Sequence, residues 1–258
     1  MPEAGFHGFP GATIRRRSYA GAVRGIPKLI GYWRLQETTG TAAADELGTH
    51  AGTYTGGYTL AQSGPFPGSR SVQFNGSTSY VQIASAVGDS SQRSVAAWVK
   101  SSTNQTSKAI FDETQGSGVI HAMTLRTGPN PVAGGLASHL SGGITGSNFS
   151  VLAGSTGCPL NDGQWHHVVV VVNETVGVQW SATRTTLYYD GQKVPASIRS
   201  DENYAGTSRN APTVAIAPRI GNAAAASSYW TGYIAEVAIW ANALTAADVQ
   251  RLFAARSR

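Results

Sequence analysis

Five consecutive valines, Val168–Val172, constrain this chain more than any other segment. β-Branched side chains fit a pleated strand, and five in a row place apolar groups on both of its faces. Such a strand needs cover on each side. Val95, Ala97 and Val99 alternate with Ala96, Trp98 and Lys100, and the same requirement follows for them. Shorter β runs surround these two. Ser71–Phe74 alternates and ends on the turn pair Asn75-Gly76, and Val81 and Ile83 form the next inward pair. Ala109–Phe111 and Met123–Leu125 are further strands. Thr185–Tyr189 runs into Asp190-Gly191, a hairpin signal, with Lys193-Val194 returning. Val214–Ile216 and Ile234–Trp240 are the expected closing strands. Residues 126–164, rich in Gly, Ser, Asn and Pro, predict at most one or two short strands, and residues 199–212 read as a polar loop.

One helix stands out near the end. Thr245 is positioned as its N-cap with Asp248 three residues on, and Leu244 and Val249 form a hydrophobic staple around the cap. Val249, Leu252 and Phe253 share one face, which predicts a lid packed on the β layers.

Charged residues make up 13% of the 258 residues and hydrophobic ones 41%. The core is amply supplied, and the surface must be solvated by Ser, Thr, Asn, Gln and Gly, as in rigid β-rich proteins that face the outside. The formal net charge is +5, from 15 Arg and 4 Lys against 14 acids. Its only tight cluster is Arg15-Arg16-Arg17, with Arg24 and Lys28 nearby, and nucleic acid is not an expected partner. Cys158 is the sole cysteine, which excludes an intrachain disulfide. Residues 1–25 contain no signal-peptide apolar run, and no stretch approaches a membrane span. An outward-facing protein without an export signal fits release by cell lysis, as for phage virions.

Residues 1–28 have neither strand nor helix period. Gly5, Gly8 and Gly11 are followed by the cluster Arg15-Arg16-Arg17. The segment is expected to be an extended basic arm, residues 1–28, ahead of a single domain at 29–258. Phe6, Phe9, Ile14 and Tyr19 would anchor it on other virion subunits or on a second copy of the chain. Arg15, Arg16, Arg17 and Arg24 would pair with carboxylates there.

Several segments in order resemble a known family. They are Gly31–Leu35, Ser71–Gly76, Tyr80–Ile83, Trp165-His166-His167-Val168, Leu187–Gly191, Gly232–Trp240 and Ala243-Leu244-Thr245. Together they look like the laminin-G-like branch of the concanavalin A-like lectin/glucanase superfamily. The resemblance implies an all-β fold: a two-sheet antiparallel jelly-roll sandwich, here with a short C-terminal helix and the N-terminal arm. Trp33, Phe74, Trp98, Trp165 and Trp240 are then core residues. His166 and His167, adjacent on a strand, point to opposite faces and cannot share a metal.

Relatives of this kind carry a Ca²⁺ site between the first loop and the last strand. The matching positions are Asp45 and, in place of the family's aspartate, Ala235. Ca²⁺ takes six to eight oxygens, so the substitution removes a carboxylate ligand. The expectation is therefore no cofactor and a first loop stapled without metal; Ca²⁺ at Asp45, helped by carbonyls and Asn222, is the alternative the resemblance brings. The family's glycosidases carry two same-face carboxylates on one strand. Among the 14 acids of this chain none has another at i+2 or i+4, which argues against catalysis. Sugar binding without catalysis needs exposed aromatic rings, and Tyr204, Tyr229 and Trp230 are the loop candidates, with Tyr54 and Tyr58 also in loops.

The reading that results is a non-enzymatic virion surface protein, a capsid decoration or minor tail component, held by its arm and able to bind glycans. The alternative is a carbohydrate-binding module of a bacterial surface or secreted protein.

Overall fold

In a computed structural model of the chain, the described residues are 18–88, 92–113, 122–128, 139–146, 149–173, 184–195, 197–200, 217–223 and 228–257. A helix, α1 (Tyr19–Arg24), leads into β1 (Leu29–Trp33), β2 (Ala42–Ala43), β3 (Gly52–Thr55), β4 (Thr59–Ser63), β5 (Arg70–Asn75) and β6 (Tyr80–Ile83). The central strands are β7 (Gln92–Lys100), β8 (Ala109–Asp112), β9 (Ala122–Gly128), β10 (His139–Gly146), β11 (Phe149–Pro159) and β12 (His166–Asn173). β13 (Thr185–Tyr189), β14 (Gln192–Lys193), β15 (Ser197–Ser200), β16 (Arg219–Ile220), β17 (Thr231–Trp240) and α2 (Ala246–Ala254) complete the order.

The strands form two antiparallel sheets. The back sheet runs β14-β13-β12-β7-β17-β5-β4, with β1 also paired to β17. The front sheet runs β15-β11-β10-β9-β8-β16-β6-β3-β2. The two-layer sandwich expected from the sequence is therefore present. The valine run sits near the middle of the back sheet, between β7 and β13. Val168, Val170 and Val172 face the core between the sheets, and Val169 and Val171 face a second apolar cluster behind it.

That second cluster decides which surface of the molecule is available. α2 lies across the back of the sheet and buries Val249 and Leu252 beside Trp98, Val169 and Trp240. Its cap is as expected: Thr245 and Asp248 satisfy each other's backbone N–H groups. α1 packs beside it, burying Tyr19, Ala22, Val23 and Ile26. Ser18 caps α1 by accepting from the Gly21 N–H at 3.2 Å.

α1 corrects the extended-arm expectation. Residues 19–24 are helical and part of the domain, so the boundary at 28/29 is displaced toward the N-terminus. Tyr19 is 1% exposed, its ring stands edge-on to Trp98 and His167, and its hydroxyl is hydrogen-bonded to His167 Nε2 at 3.0 Å. Arg24 pairs with Glu46 of the same chain. Tyr19 is thus buried within the chain's own domain, and Arg24, half-exposed, is engaged by an acid of the same chain. Phe6, Phe9, Ile14, Arg15, Arg16 and Arg17 lie outside the described residues.

β17 carries the main irregularity. Its pairing with β7 slips between Ala235 and Ala238, and Glu236 adopts φ +55°. The extra residue re-phases the strand: Ile234, Val237 and Ile239 face the inter-sheet core, while Ala235, Ala238 and Trp240 face the helices. Glu236 itself is buried, accepting from the Tyr32 hydroxyl, from Gln36 Nε2 at 3.1 Å and from the Arg34 guanidinium at 3.4 Å. Burial raises its carboxyl above the usual range, against the pull of Tyr32 and Arg34. The β13–β14 hairpin is as the sequence reads: Asp190 and Gly191 both have positive φ, 50° and 79°, as a primed two-residue turn requires.

Between residues 126 and 164 the structure departs from expectation. β10 and β11 are not short; they span 8 and 11 residues. Val214–Ile216 lies outside the described residues, and the strand next along the chain is β16, Arg219-Ile220.

Candidate carbohydrate-binding face

Among the described residues the helices cover the outer face of the back sheet around β7, β12 and β17, which makes the front sheet the candidate face. Strand alternation supplies its side chains. On β6, Val81 and Ile83 turn into the core, leaving Tyr80 and Gln82 outward and half-buried. On β16, Ile220 turns in and Arg219 turns out. Pairing registers these residues in a row across the sheet: Thr53 opposite Gln82, Gln82 opposite Arg219, Arg219 opposite Asp112, and Asp112 opposite Thr124. Asp112 and Thr124 are buried, so the open end of the row is Thr53, Gln82 and Arg219.

Bonding at this end is directional. Gln82 Nε2 donates to the Ile83 carbonyl at 3.0 Å and to the Pro218 carbonyl at 3.4 Å. Its Oε1 is thereby turned to accept from Arg219 Nε at 2.8 Å. The Arg219 guanidinium lies over the Tyr80 ring, 4.8 Å from its centroid. Tyr229 joins from the loop before β17, its ring 6.3 Å from that of Tyr80 at 53°. That loop is pinned on both sides. Ser228 accepts from the Ala109 N–H, and the Trp230 N–H donates to the Gly221 carbonyl, each at 2.9 Å. The result is two tyrosine rings beside an amide and a guanidinium, assembled from three separate parts of the chain.

The aromatic candidates from the sequence divide accordingly. Tyr229 is at this face. Trp230 is 0% exposed and belongs to the inter-sheet core, so it is no sugar platform. Adjacent residues of an extended segment point oppositely, and here the tryptophan took the inward place. Tyr54 is buried as well, its hydroxyl donating to Glu37 at 2.7 Å, and Tyr58 stacks on it at 4.9 Å. Tyr204 lies outside the described residues. Sequence reasoning missed Tyr80, Gln82 and Arg219 as a group. The outward positions of Tyr80 and Gln82 were implied by the Val81/Ile83 alternation, but their neighbour is 137 residues away.

Asp45 does not fit a Ca²⁺ ligand. Oδ1 accepts from the N–H groups of Tyr32 at 2.8 Å and Leu47 at 3.2 Å. Oδ2 accepts from the N–H groups of Thr49 and His50, both at 3.0 Å, and from the Thr49 hydroxyl at 3.1 Å. Donor hydrogens occupy the directions a cation would need. Burial raises this carboxyl, but the four backbone N–H groups outweigh it and hold the pKa below the usual value. The residue clasps the first loop onto β1. Among the described residues no three His, Cys, Asp or Glu side chains gather as a metal cluster.

Other buried carboxylates are similarly engaged. Glu113 is paired with Arg93, with an Nη1–Oε2 distance of 2.7 Å, and accepts from the Met123 N–H at 2.9 Å. His166 lies between two acids: Nδ1 is 2.9 Å from Asp190 Oδ2, and Nε2 is 3.0 Å from Asp162 Oδ1. Burial lowers the His166 pKa, and hydrogen bonds to Asp190 and Asp162 more than reverse this, so it stands above the ordinary value. His167, on the opposite face, is pushed down to about 3 by burial and is neutral. A cavity of about 300 Å³ opens near His166, between Cys158, Tyr189, Lys193 and Pro195. The Tyr189 hydroxyl is already engaged, donating to the Pro159 carbonyl at 2.8 Å.

Similarity to known proteins agrees with this architecture. A profile of the concanavalin A-like lectin/glucanases superfamily matches residues 75–250. No curated protein sequence matches the chain. Domain 4 of AbnA, an extracellular arabinanase from Geobacillus stearothermophilus solved with arabinotriose, superposes with a TM-score of 0.57 at 19% identity, covering 87% of this chain and 98% of that one. The binding domain of Paraclostridial Mosquitocidal Protein 1 gives a TM-score of 0.56 at 12% identity over 88% of this chain and 52% of its own. Trypanosoma rangeli sialidase in complex with the inhibitor DANA gives 0.54 at 13% identity over 87% of this chain and 32% of its own. The chain thus spans nearly all of the arabinanase domain, about half of the toxin domain and about a third of the sialidase. These likenesses are of fold. With its strand order, its two-sheet core and the profile match over most of its length, the chain belongs to the concanavalin A-like lectin/glucanases superfamily.

Proposed function

We propose that this chain is a non-catalytic carbohydrate-binding domain and that it takes sugar at the open end of the front sheet. The fold admits lectins and enzymes alike, so the site has to carry the argument. The observation that carries it is the Tyr80–Gln82–Arg219–Tyr229 group. Sugar rings present C–H faces that lie on aromatic rings and hydroxyls that pair with planar amide and guanidinium groups. Both kinds of partner stand together here, held by strand pairing rather than by a free loop. Buried carboxylates in the rest of the fold support the non-catalytic reading. Asp45, Glu113 and Glu236 each hold structural donors, and none is presented at this face. That domain 4 of the arabinanase was solved with arabinotriose supports the same class of ligand.

The test is calorimetric titration of the whole chain with a panel of neutral and acidic oligosaccharides, repeated for Tyr80→Ala and Tyr229→Ala. Binding should weaken about tenfold or more in each variant, the effect of losing roughly 1.4 kcal/mol of contact. Melting temperatures should stay near that of the parent. Unchanged affinity in both variants would move the site elsewhere, and no binding by the parent would overturn the reading.

The virion setting is a second proposal, supported by the Arg15-Arg16-Arg17 run. It requires that residues 1–17 dock on other subunits. Removing them should abolish incorporation into the parent particle, and full occupancy without them would end that reading. An extracellular or cell-surface setting is the alternative.

A further inference from the structure

The geometry points to a carboxylate-bearing sugar, of the uronic or sialic acid kind, as the preferred ligand of this face, with Arg219 gripping the carboxylate. This rests on the carbohydrate-binding reading and narrows it. The central observation is how Arg219 is held. Its Nε is fixed by Gln82 at 2.8 Å, and its Cζ sits over the Tyr80 ring, 4.8 Å from the centroid. Among the described residues neither Nη atom meets an acceptor, and no ion pair satisfies the charge. Elsewhere in the fold Arg24, Arg34, Arg93 and Arg251 are paired with acids of the chain itself. Asp112, the register neighbour of Arg219, is buried.

A guanidinium fixed through Nε and seated over a ring presents its two Nη groups as a fork. That fork matches the two oxygens of a carboxylate, and its orientation costs little on binding because it is already set. Gln82 is the positioning residue. Its amide is locked by two backbone carbonyls, so it can only offer Oε1 to Nε. A neutral hydroxyl would use one Nη hydrogen and leave the charge unmatched. Tyr80 seats the guanidinium, and the Tyr229 ring beside it then receives the apolar face of the same sugar. A net charge of +5 adds a mild long-range attraction for acidic glycans.

Matched sugar pairs provide the test: lactose against sialyllactose, and glucose oligomers against glucuronate-containing ones, titrated into the whole chain at 50 and 500 mM salt. The acidic member should bind at least tenfold more tightly at low salt, with the margin reduced at high salt. Arg219→Gln should erase the margin, weakening the acidic member at least tenfold more than the neutral one. Arg219→Lys, which keeps the charge and loses the fork, should lose most of it. If neutral and acidic members bind alike and Tyr80→Ala weakens both, the carboxylate preference is wrong and the carbohydrate reading stands. If a sulfated sugar matches the carboxylate, or Arg219→Lys retains the full margin, the site reads charge alone and the fork is overturned. If neither member binds, the underlying reading falls with it.

Discussion

Replacing Asp45 with alanine would leave the N–H groups of Tyr32, Leu47, Thr49 and His50 without their acceptor. Where the loop cannot rearrange to admit water, unsatisfied donors make such a change cost about 2–4 kcal/mol. At about 2–4 °C per kcal/mol for a domain of this size, the melting temperature should fall by roughly 5–15 °C. Chelator should leave the parent unchanged to within about 1 °C, and a rise on adding Ca²⁺ would show that a cation and not the N–H groups is the natural occupant. His166 gives a pH signature. Its folded pKa is raised above the ordinary 6.5. Its stabilisation is therefore complete below about pH 6.5 and is lost as pH climbs through the folded value. Asp162 behaves oppositely: its pKa is depressed below 3.8, through Gln164 N–H and His166 bonds that outweigh its partial burial, so its share is lost in acid. The parent should exceed His166→Gln by about 1 kcal/mol near pH 5–6, discounted because Asp162 is 39% exposed. That gap should shrink in alkaline buffer, and a gap that grows with pH would contradict the assignment. At this scale the sequence placed Asp45 in the first loop, with a metal-free staple as the expectation, but not the groups it would hold. Nothing in the spacing of one acid tells that four N–H groups will converge on it.

At the scale of elements, α1 is the instructive case. Tyr19, Ala22, Val23 and Ile26 follow the i, i+3, i+4, i+7 spacing of an amphipathic helix, so the signal was present. Six residues between Gly-rich and Arg-rich flanks kept it below the length at which periodicity is read with assurance. β10 and β11 were obscured for another reason: Gly and Ser in Gly142-Gly143 and Gly154-Ser155 carry no alternation, and their pairing is made by the backbone. α1 also supplies a test. Deleting residues 1–17 should leave the melting temperature nearly unchanged. Deleting residues 1–28 would expose Trp98 and His167 and forfeit the burial of Tyr19, Val23 and Ile26, worth about 1.5–3 kcal/mol for each large side chain. A fall on the order of 10 °C is expected in a thermal melt, and equal stability of the two truncations would show that α1 is not part of the domain.

Across the whole molecule, the fold was legible because its strongest signals are local. The valine run, the Asp190-Gly191 turn and the Thr245 cap each specify their own geometry and agree with one another. The binding face was not legible because it is a product of register. Arg219 meets Gln82 and Tyr80 only after β16 has paired with β6, and no motif records that meeting. Two helices cover the back sheet, and the open end of the front sheet is then the surface on which the account depends. A crystal structure of the chain with a bound acidic oligosaccharide tests this most directly. The account predicts the sugar ring on Tyr229 with its carboxylate on the Arg219 Nη atoms above Tyr80. A sugar seated instead in the cavity between Cys158 and Pro195, or on the helix side of the back sheet, would contradict it.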